Sequence, residues 1–173
     1  LAAYSNTTGT RNTALGRASL YDNTTGNYNV ALGYDSLANN TTASSNTAVG
    51  YAAGYSNTTG AENTALGNRA LYTNTIGTGN VAVGHYALNE NSSAAYNTGV
   101  GYLALRRNTT GASNVSLGYA ALTSNTTSSY NTAVGYRAAY TNTTGQLNTA
   151  MGNDSMFYTT TGSNNAVLGA NAC

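Results

Sequence analysis

A glycine recurs every 17 residues from one end of the chain to the other. Gly16, Gly33, Gly50, Gly67, Gly84, Gly101, Gly118, Gly135, Gly152 and Gly169 each close an Asn-x-x-apolar-Gly motif, most often Asn-Thr-Ala-Leu/Val-Gly. The ten copies follow without insertion or deletion and, with three further residues, account for all 173. The chain is therefore read as one repeat domain, residues 1–173, with no linker and no second domain. Such a period constrains the fold more than any other feature, because each copy must be one unit stacked on the next.

Positions within a copy are counted from its glycine as 0. Position −4 is always Asn: Asn12, Asn29, Asn46, Asn63, Asn80, Asn97, Asn114, Asn131, Asn148 and Asn165. Position −1 is always apolar, from Leu15 and Leu32 to Met151 and Leu168. Position +3 is Ala or Ser, and +4 is mostly Leu, as in Leu20, Leu37, Leu71, Leu88, Leu105 and Leu122. Tyr recurs at +1 (Tyr34, Tyr51, Tyr102, Tyr119, Tyr136) and at +5 (Tyr21, Tyr55, Tyr72, Tyr140). Positions +7 to +10 usually read Asn-Thr-Thr-Gly.

Helical repeats need two helices and run to about 33 residues or more, so a 17-residue unit cannot hold a pair. Asn, Thr and Gly are also poor helix formers. The length suits one coil of a parallel β-solenoid, and two short strands and two turns per coil are expected. Thr/Val-Ala-Leu/Val has strand character and Gly ends it. Asn-Thr-Thr-Gly resembles a type I turn, in which positive φ is not required at the fourth position, since Ala43, Ala94 and Ser128 stand there in three copies. In a stack, equivalent residues lie about 4.8 Å apart, so one inserted residue would break every column. The Asn of position −4 is expected to form an amide ladder along the stack. The class is all-β, a parallel β-solenoid or β-roll of ten 17-residue coils.

Composition excludes several functions. Charged residues make up 6% of the chain and net charge is +1, with six Arg scattered along it, which leaves no basic patch for nucleic acid. No apolar run approaches the roughly 18 residues of a membrane span. Leu1-Ala2-Ala3-Tyr4 does not read as a signal peptide, and without an initiating Met the chain reads as a mature or excised segment. A single cysteine, Cys173, excludes an internal disulfide framework. Large aliphatic side chains are scarce, about two per coil, too few for a thick core. Either the Tyr columns pack on their own coil, or coils of several chains share a core, which favours a homo-oligomer.

The strand motif Asn-Thr-Ala-Val-Gly-Tyr resembles the repeats of YadA-like trimeric adhesin heads, and the longer unit Asn-Thr-Thr-Gly-x-x-Asn-Thr-Ala-Val-Gly-Tyr-x-Ala-Leu resembles those of phage tail-fibre and endosialidase-chaperone-containing proteins. The resemblance covers the whole chain, although the adhesin-head period is shorter. It implies a left-handed parallel β-roll, trimeric, in an extracellular fibre at a cell or virion surface.

Catalytic signals are sparse. Asp22, Asp35, Glu62, Glu90 and Asp154 fall at scattered positions, and no pair is expected at acid–base separation. His85 is the only histidine and occupies a Tyr column, so it reads as surface packing rather than as a metal ligand. Gly99-Val100-Gly101 fits a dinucleotide fingerprint only as a string, because no helix follows. No catalytic residue, metal site or cofactor is expected. Asn6, Asn23, Asn40, Asn57, Asn91, Asn108, Asn125 and Asn142 each begin Asn-x-Ser/Thr, candidate N-glycosylation acceptors that also read as turn-opening residues. Two further surfaces suggest ligands: Tyr columns for sugar stacking, and Thr columns for ice. The expectation is a structural, non-enzymatic fibre segment, a tail-fibre or adhesin shaft. The alternative is a self-assembling, glycosylated surface filament, since Leu1 at +2 and Cys173 at +4 leave no visible cap. An ice- or carbohydrate-binding solenoid ranks below both. The expected partners are further copies of the chain, as a homotrimer or end to end, and cell-surface carbohydrate, with no nucleic acid.

Overall fold

The computed structural model covers residues 1–173 and contains ten strands and no helix. They are β1 (Thr13–Leu15), β2 (Val30–Leu32), β3 (Thr47–Val49), β4 (Thr64–Leu66), β5 (Val81–Val83), β6 (Thr98–Val100), β7 (Val115–Leu117), β8 (Thr132–Val134), β9 (Thr149–Met151) and β10 (Ala166–Leu168). They form one parallel sheet in chain order, each residue paired with its equivalent 17 residues on. The chain is a β-solenoid, about 48 Å along the stack at the usual strand spacing.

Each copy holds one three-residue strand, not two. The remainder of the coil is bends and turns, yet it is bonded to its neighbours just as regularly. Of 111 backbone hydrogen bonds only 18 lie within the strands. The stacking register is thus carried mostly by turn backbone, as in Leu20 N–H to Ser36 C=O (2.9 Å) and Thr24 N–H to Thr41 C=O (2.8 Å). A second strand does not form because the segment after each glycine carries left-handed residues. Positions +2, +4 and −5 have φ between +46° and +65° throughout the stack up to Asn171, including bulky residues such as Leu71 (+54°) and Tyr96 (+59°). Left-handed conformation interrupts the pleat and curls the chain around a narrow interior.

Strand geometry then decides which side chains fill that interior. In each strand the middle residue points in: Ala31, Ala48, Ala65, Ala82, Ala133 and Ala150 are buried, while the residues on either side point out. The apolar column at −1 is therefore on the outer face, never in the core. The one large aliphatic side chain buried per coil comes from +4: Leu20, Leu37, Leu71, Leu88, Leu105, Leu122 and Met156. Gly54 and Ala139 take that place in two copies. Buried Ala or Ser at +3 completes a core only one large residue thick, half the aliphatic content expected from the sequence.

The position-0 glycines are obligatory for two reasons. Their φ lies between +123° and +136°, and a Cβ on any of the first nine would stand 2.4–2.6 Å from the carbonyl oxygen of the next glycine in the column. The glycine at +10 differs: it is absent from the positive-φ residues, as the Ala and Ser substitutions implied. The Asn-Thr-Thr-Gly turn is not closed by a type I backbone bond. Instead the Asn side chain spans it, Asn23 Nδ2 donating to the Gly26 carbonyl at 3.1 Å.

Candidate interaction surfaces and the amide interior

The polar interior is built from two asparagine columns. At −4, each Asn Oδ1 accepts the backbone N–H of the next Asn in the column, at 2.9–3.0 Å from Asn29 to Asn165. Except at Asn131, the Nδ2 of each −4 Asn from Asn12 to Asn148 reaches the +10 carbonyl fourteen residues on, as in Asn46 to Gly60 (2.9 Å) and Asn97 to Gly111 (2.8 Å). The predicted ladder is present, but it runs mainly from side chain to backbone. Direct amide-to-amide bonds occur at only some steps, such as Asn80 Nδ2 to Asn63 Oδ1 (3.1 Å).

The continuous amide ladder lies in the other column. At +7, every Nδ2 from Asn23 to Asn142 donates to the Oδ1 of the preceding copy, at 2.7–3.3 Å. The second hydrogen of the same Nδ2 goes to the +10 carbonyl of its own coil, at 2.8–3.1 Å. From Gly26 to Ser128 each +10 carbonyl thus accepts from both columns: Ala43 C=O takes Asn40 (3.0 Å) and Asn29 (2.8 Å). The signal in the sequence was the near-unbroken Asn at +7, Asn74 included although it is not a sequon.

This arrangement bears on glycosylation. Asn23, Asn40, Asn57, Asn91, Asn108, Asn125 and Asn142 are all buried with both Nδ2 hydrogens engaged. A glycan on any of them would remove a ladder donor and place a sugar inside the coil. Of the eight sequon asparagines only Asn6, in the first copy, is exposed.

The ladder breaks once. Thr159 stands where the next Asn would follow Asn142, and Asn142 Oδ1 is a buried acceptor without a donor. Just before the break, Ser128 at +10 turns its hydroxyl onto Asn125 Oδ1, and the Asn142-to-Asn125 bond lengthens to 3.3 Å.

Three kinds of column face outward. The first is aromatic. His85, Tyr102, Tyr119 and Tyr136 stack at centroid separations of 5.3, 5.3 and 5.1 Å, and Tyr34 stacks on Tyr51 at 5.6 Å. At +5, Tyr4–Tyr21, Tyr55–Tyr72 and Tyr140–Phe157 each stack at 5.2 Å. Arginines cover further ring faces, Arg17 over Tyr34 at 5.1 Å and Arg137 over Phe157 at 4.7 Å. The Tyr columns therefore pack on their own chain. Sugar stacking needs a free ring face, and Tyr102 and Tyr119 have neighbours on both.

The second kind is hydroxylic. Thr at +8, or Ser92 in one copy, donates its hydroxyl to the next copy's backbone carbonyl, at 2.8–3.3 Å along the column. Beside it +9 is an outward Thr column, interrupted by Ile76 and Ser93. The third kind is the outer sheet face, Thr, Val or, in the last copy, Ala166 at −3 and Leu, Val or Met at −1, none of it buried.

Charged groups are few and serve packing. Arg137 grips Asp154 in the next copy with a two-pronged contact, Nε to Oδ1 at 2.8 Å and Nη2 to Oδ2 at 2.9 Å. That hydrogen bond holds the Asp154 carboxyl below its ordinary value and raises the arginine. Hydrogen bonds to the Tyr86 and Tyr51 hydroxyls raise Arg69. A cleft of about 350 Å³ beside the Arg137–Asp154 pair is lined by Phe157, Tyr158, Asn171 and the exposed Cys173. No three His, Cys, Asp or Glu side chains cluster closely enough to hold a metal ion. No helix is long and apolar enough to cross a membrane. Comparison with family profiles, curated sequences and solved structures gives no match.

Proposed function

We propose that the chain is a structural, non-enzymatic segment of an extracellular fibre, the shaft of a tail fibre or adhesin at a cell or virion surface, associating with further copies of itself. The observation that carries this reading is the cross-braced pair of Asn columns, repeated with the same partners and nearly the same distances from copy to copy. From Asn23 to Asn125 each plane between coils is held by the same Asn-to-Asn bond, so a pull along the axis is shared by like contacts over most of the rod. Chemistry is spread along the rod rather than gathered at one place, which suits a spacer that sets a distance. The sequence resemblance to adhesin heads and tail fibres points the same way.

Immunogold electron microscopy with an antibody against the folded chain tests the reading. Label at a fixed height along a projecting fibre of the producing cell or particle is the expected result. Label confined to the cell interior overturns it.

A further inference from the structure

The outer face of the sheet sets the rod apart from a solitary one. Positions −3 and −1 contribute twenty side chains, none buried and none more polar than Thr. Along the centre of the face run Val49, Leu66, Val83, Val100, Leu117 and Val134, each stacked on its 17-residue neighbour by the strand register. All eleven charged residues of the chain lie at other positions. The +1 Tyr column, 40–46% exposed, borders the face two residues further along each coil.

From the geometry we infer that this face docks a second copy of the chain, sheet against sheet. The inference rests on the fibre reading and names the surface through which such rods associate. Ten strands at about 4.8 Å, and about 13 Å from position −3 to position +1, give a footprint of roughly 600 Å² per chain. A pair would bury about 1,200 Å² in total, the lower bound of a standard specific interface. Within the face the −1 column is apolar in all ten copies, and −3 is Thr in six, Val in three and Ala in one. A second copy also fits the chemistry of the face. The −1 column mixes Leu, Val and Met, whose unequal lengths match no regular lattice but interdigitate with a like surface. The strands carry no charge, and Arg17, the one charged residue at +1, sits at the end of the border column bonded to the Tyr34 hydroxyl, so two such faces meet without an unpaired ion at their centre.

Analytical ultracentrifugation of the full chain from micromolar to millimolar concentration is the test, with small-angle X-ray scattering to read the rod. The expected particle has twice the 17.6 kDa chain mass. Val83→Arg with Val100→Arg points two cations out of the sheet and raises the dissociation midpoint at least about tenfold, since pairing would bury them without partners. The milder Val83→Thr with Val100→Thr keeps β-branched strand residues, so the coil folds, and weakens pairing in the same direction. Thr110→Arg, at the distant +9 bend, leaves the midpoint unchanged. A single-chain mass at every concentration overturns the pairing, as does an assembly indifferent to the Val83 and Val100 substitutions. If that lone chain still scatters as a rod of about 48 Å, the fibre reading stands without the pairing. If no rod persists, both fail.

Discussion

At the scale of single residues, two glycines in one coil illustrate how differently the same amino acid is used. Gly101 has φ +131°, and an added Cβ would meet the Gly118 carbonyl oxygen at 2.5 Å. Gly111 is as crowded, with Ser128 C=O 2.1 Å from the site of a Cβ, but its φ is not positive, and Ala43 and Ala94 occupy the same position elsewhere. Gly101→Ala is expected to destabilise by about 2–3 kcal/mol, because it adds strain in both φ and packing. Gly111→Ala is expected to stay within about 1 kcal/mol; denaturant unfolding of the two variants decides. Thr159→Asn carries the opposite expectation. It supplies the donor that Asn142 Oδ1 lacks and extends the +7 ladder by one copy. Satisfying a buried acceptor is worth about 1–3 kcal/mol, and a gain of about 1 kcal/mol would raise Tm by about 2–4 °C in calorimetry. An unchanged or lowered Tm would count against the ladder's role in stability.

At the scale of the element, a three-residue strand has little to hold it but its register. Deleting Thr98 from β6 moves Val100 toward the inward place now held by Gly99 and shifts Asn97 against its column, since side chains alternate across the strand. The deletion is expected to break the β5–β6 and β6–β7 pairings and to lower the melting temperature sharply; amide hydrogen exchange would localise the damage to coils 5–7. Asn97→Asp tests the same plane more gently. The carboxylate still accepts the Asn114 N–H but faces the Gly111 carbonyl with no hydrogen to give, and destabilisation of about 2–3 kcal/mol is expected. The Arg137–Asp154 contact links the coils that carry β8 and β9. Because the folded Asp154 carboxyl sits below its unfolded value, its contribution is present above the unfolded value and is lost as pH falls through the folded one. Asp154→Asn should therefore shrink the fall in Tm between about pH 5 and about pH 2, within the carboxylate range. An identical pH profile in the variant would show that the pair does not couple to folding.

Across the whole molecule, the coils are joined by hydrogen bonds and a thin aliphatic core, with two ion pairs in all. Stability should therefore depend little on ionic strength. Raising salt from about 0.05 M to about 1 M, which shortens the screening length several-fold, is expected to move Tm by no more than about 2 °C, apart from any general salting-out gain. A drop of ten degrees would mean that charge matters more than this architecture allows. In a stack of like units, each coil is held by its neighbours, which is also why twenty-eight non-glycine residues can be kept in left-handed conformation. The cost of each is spread over a coil bonded above and below.

The 17-residue period was enough to determine the solenoid, the parallel register and the residues that become vertical neighbours, because a stack tolerates no change of length in any column. The glycine column was legible too, since invariance in ten copies leaves only a backbone explanation. The path of the coil was not. One strand rather than two, Leu at +4 inside and Leu/Val at −1 outside, and the sequon asparagines as the continuous ladder all depend on the left-handed residues at +2, +4 and −5. Gly54, Gly79, Asp35, Asp154, Asn164 and Asn171 favour that conformation locally, but most of those positions hold Ala, Arg, Leu, Tyr, Ser, Met or Glu, which do not. Neighbouring coils impose it, so only the assembled stack decides which side of the chain is interior, and with it which surfaces remain to meet a partner.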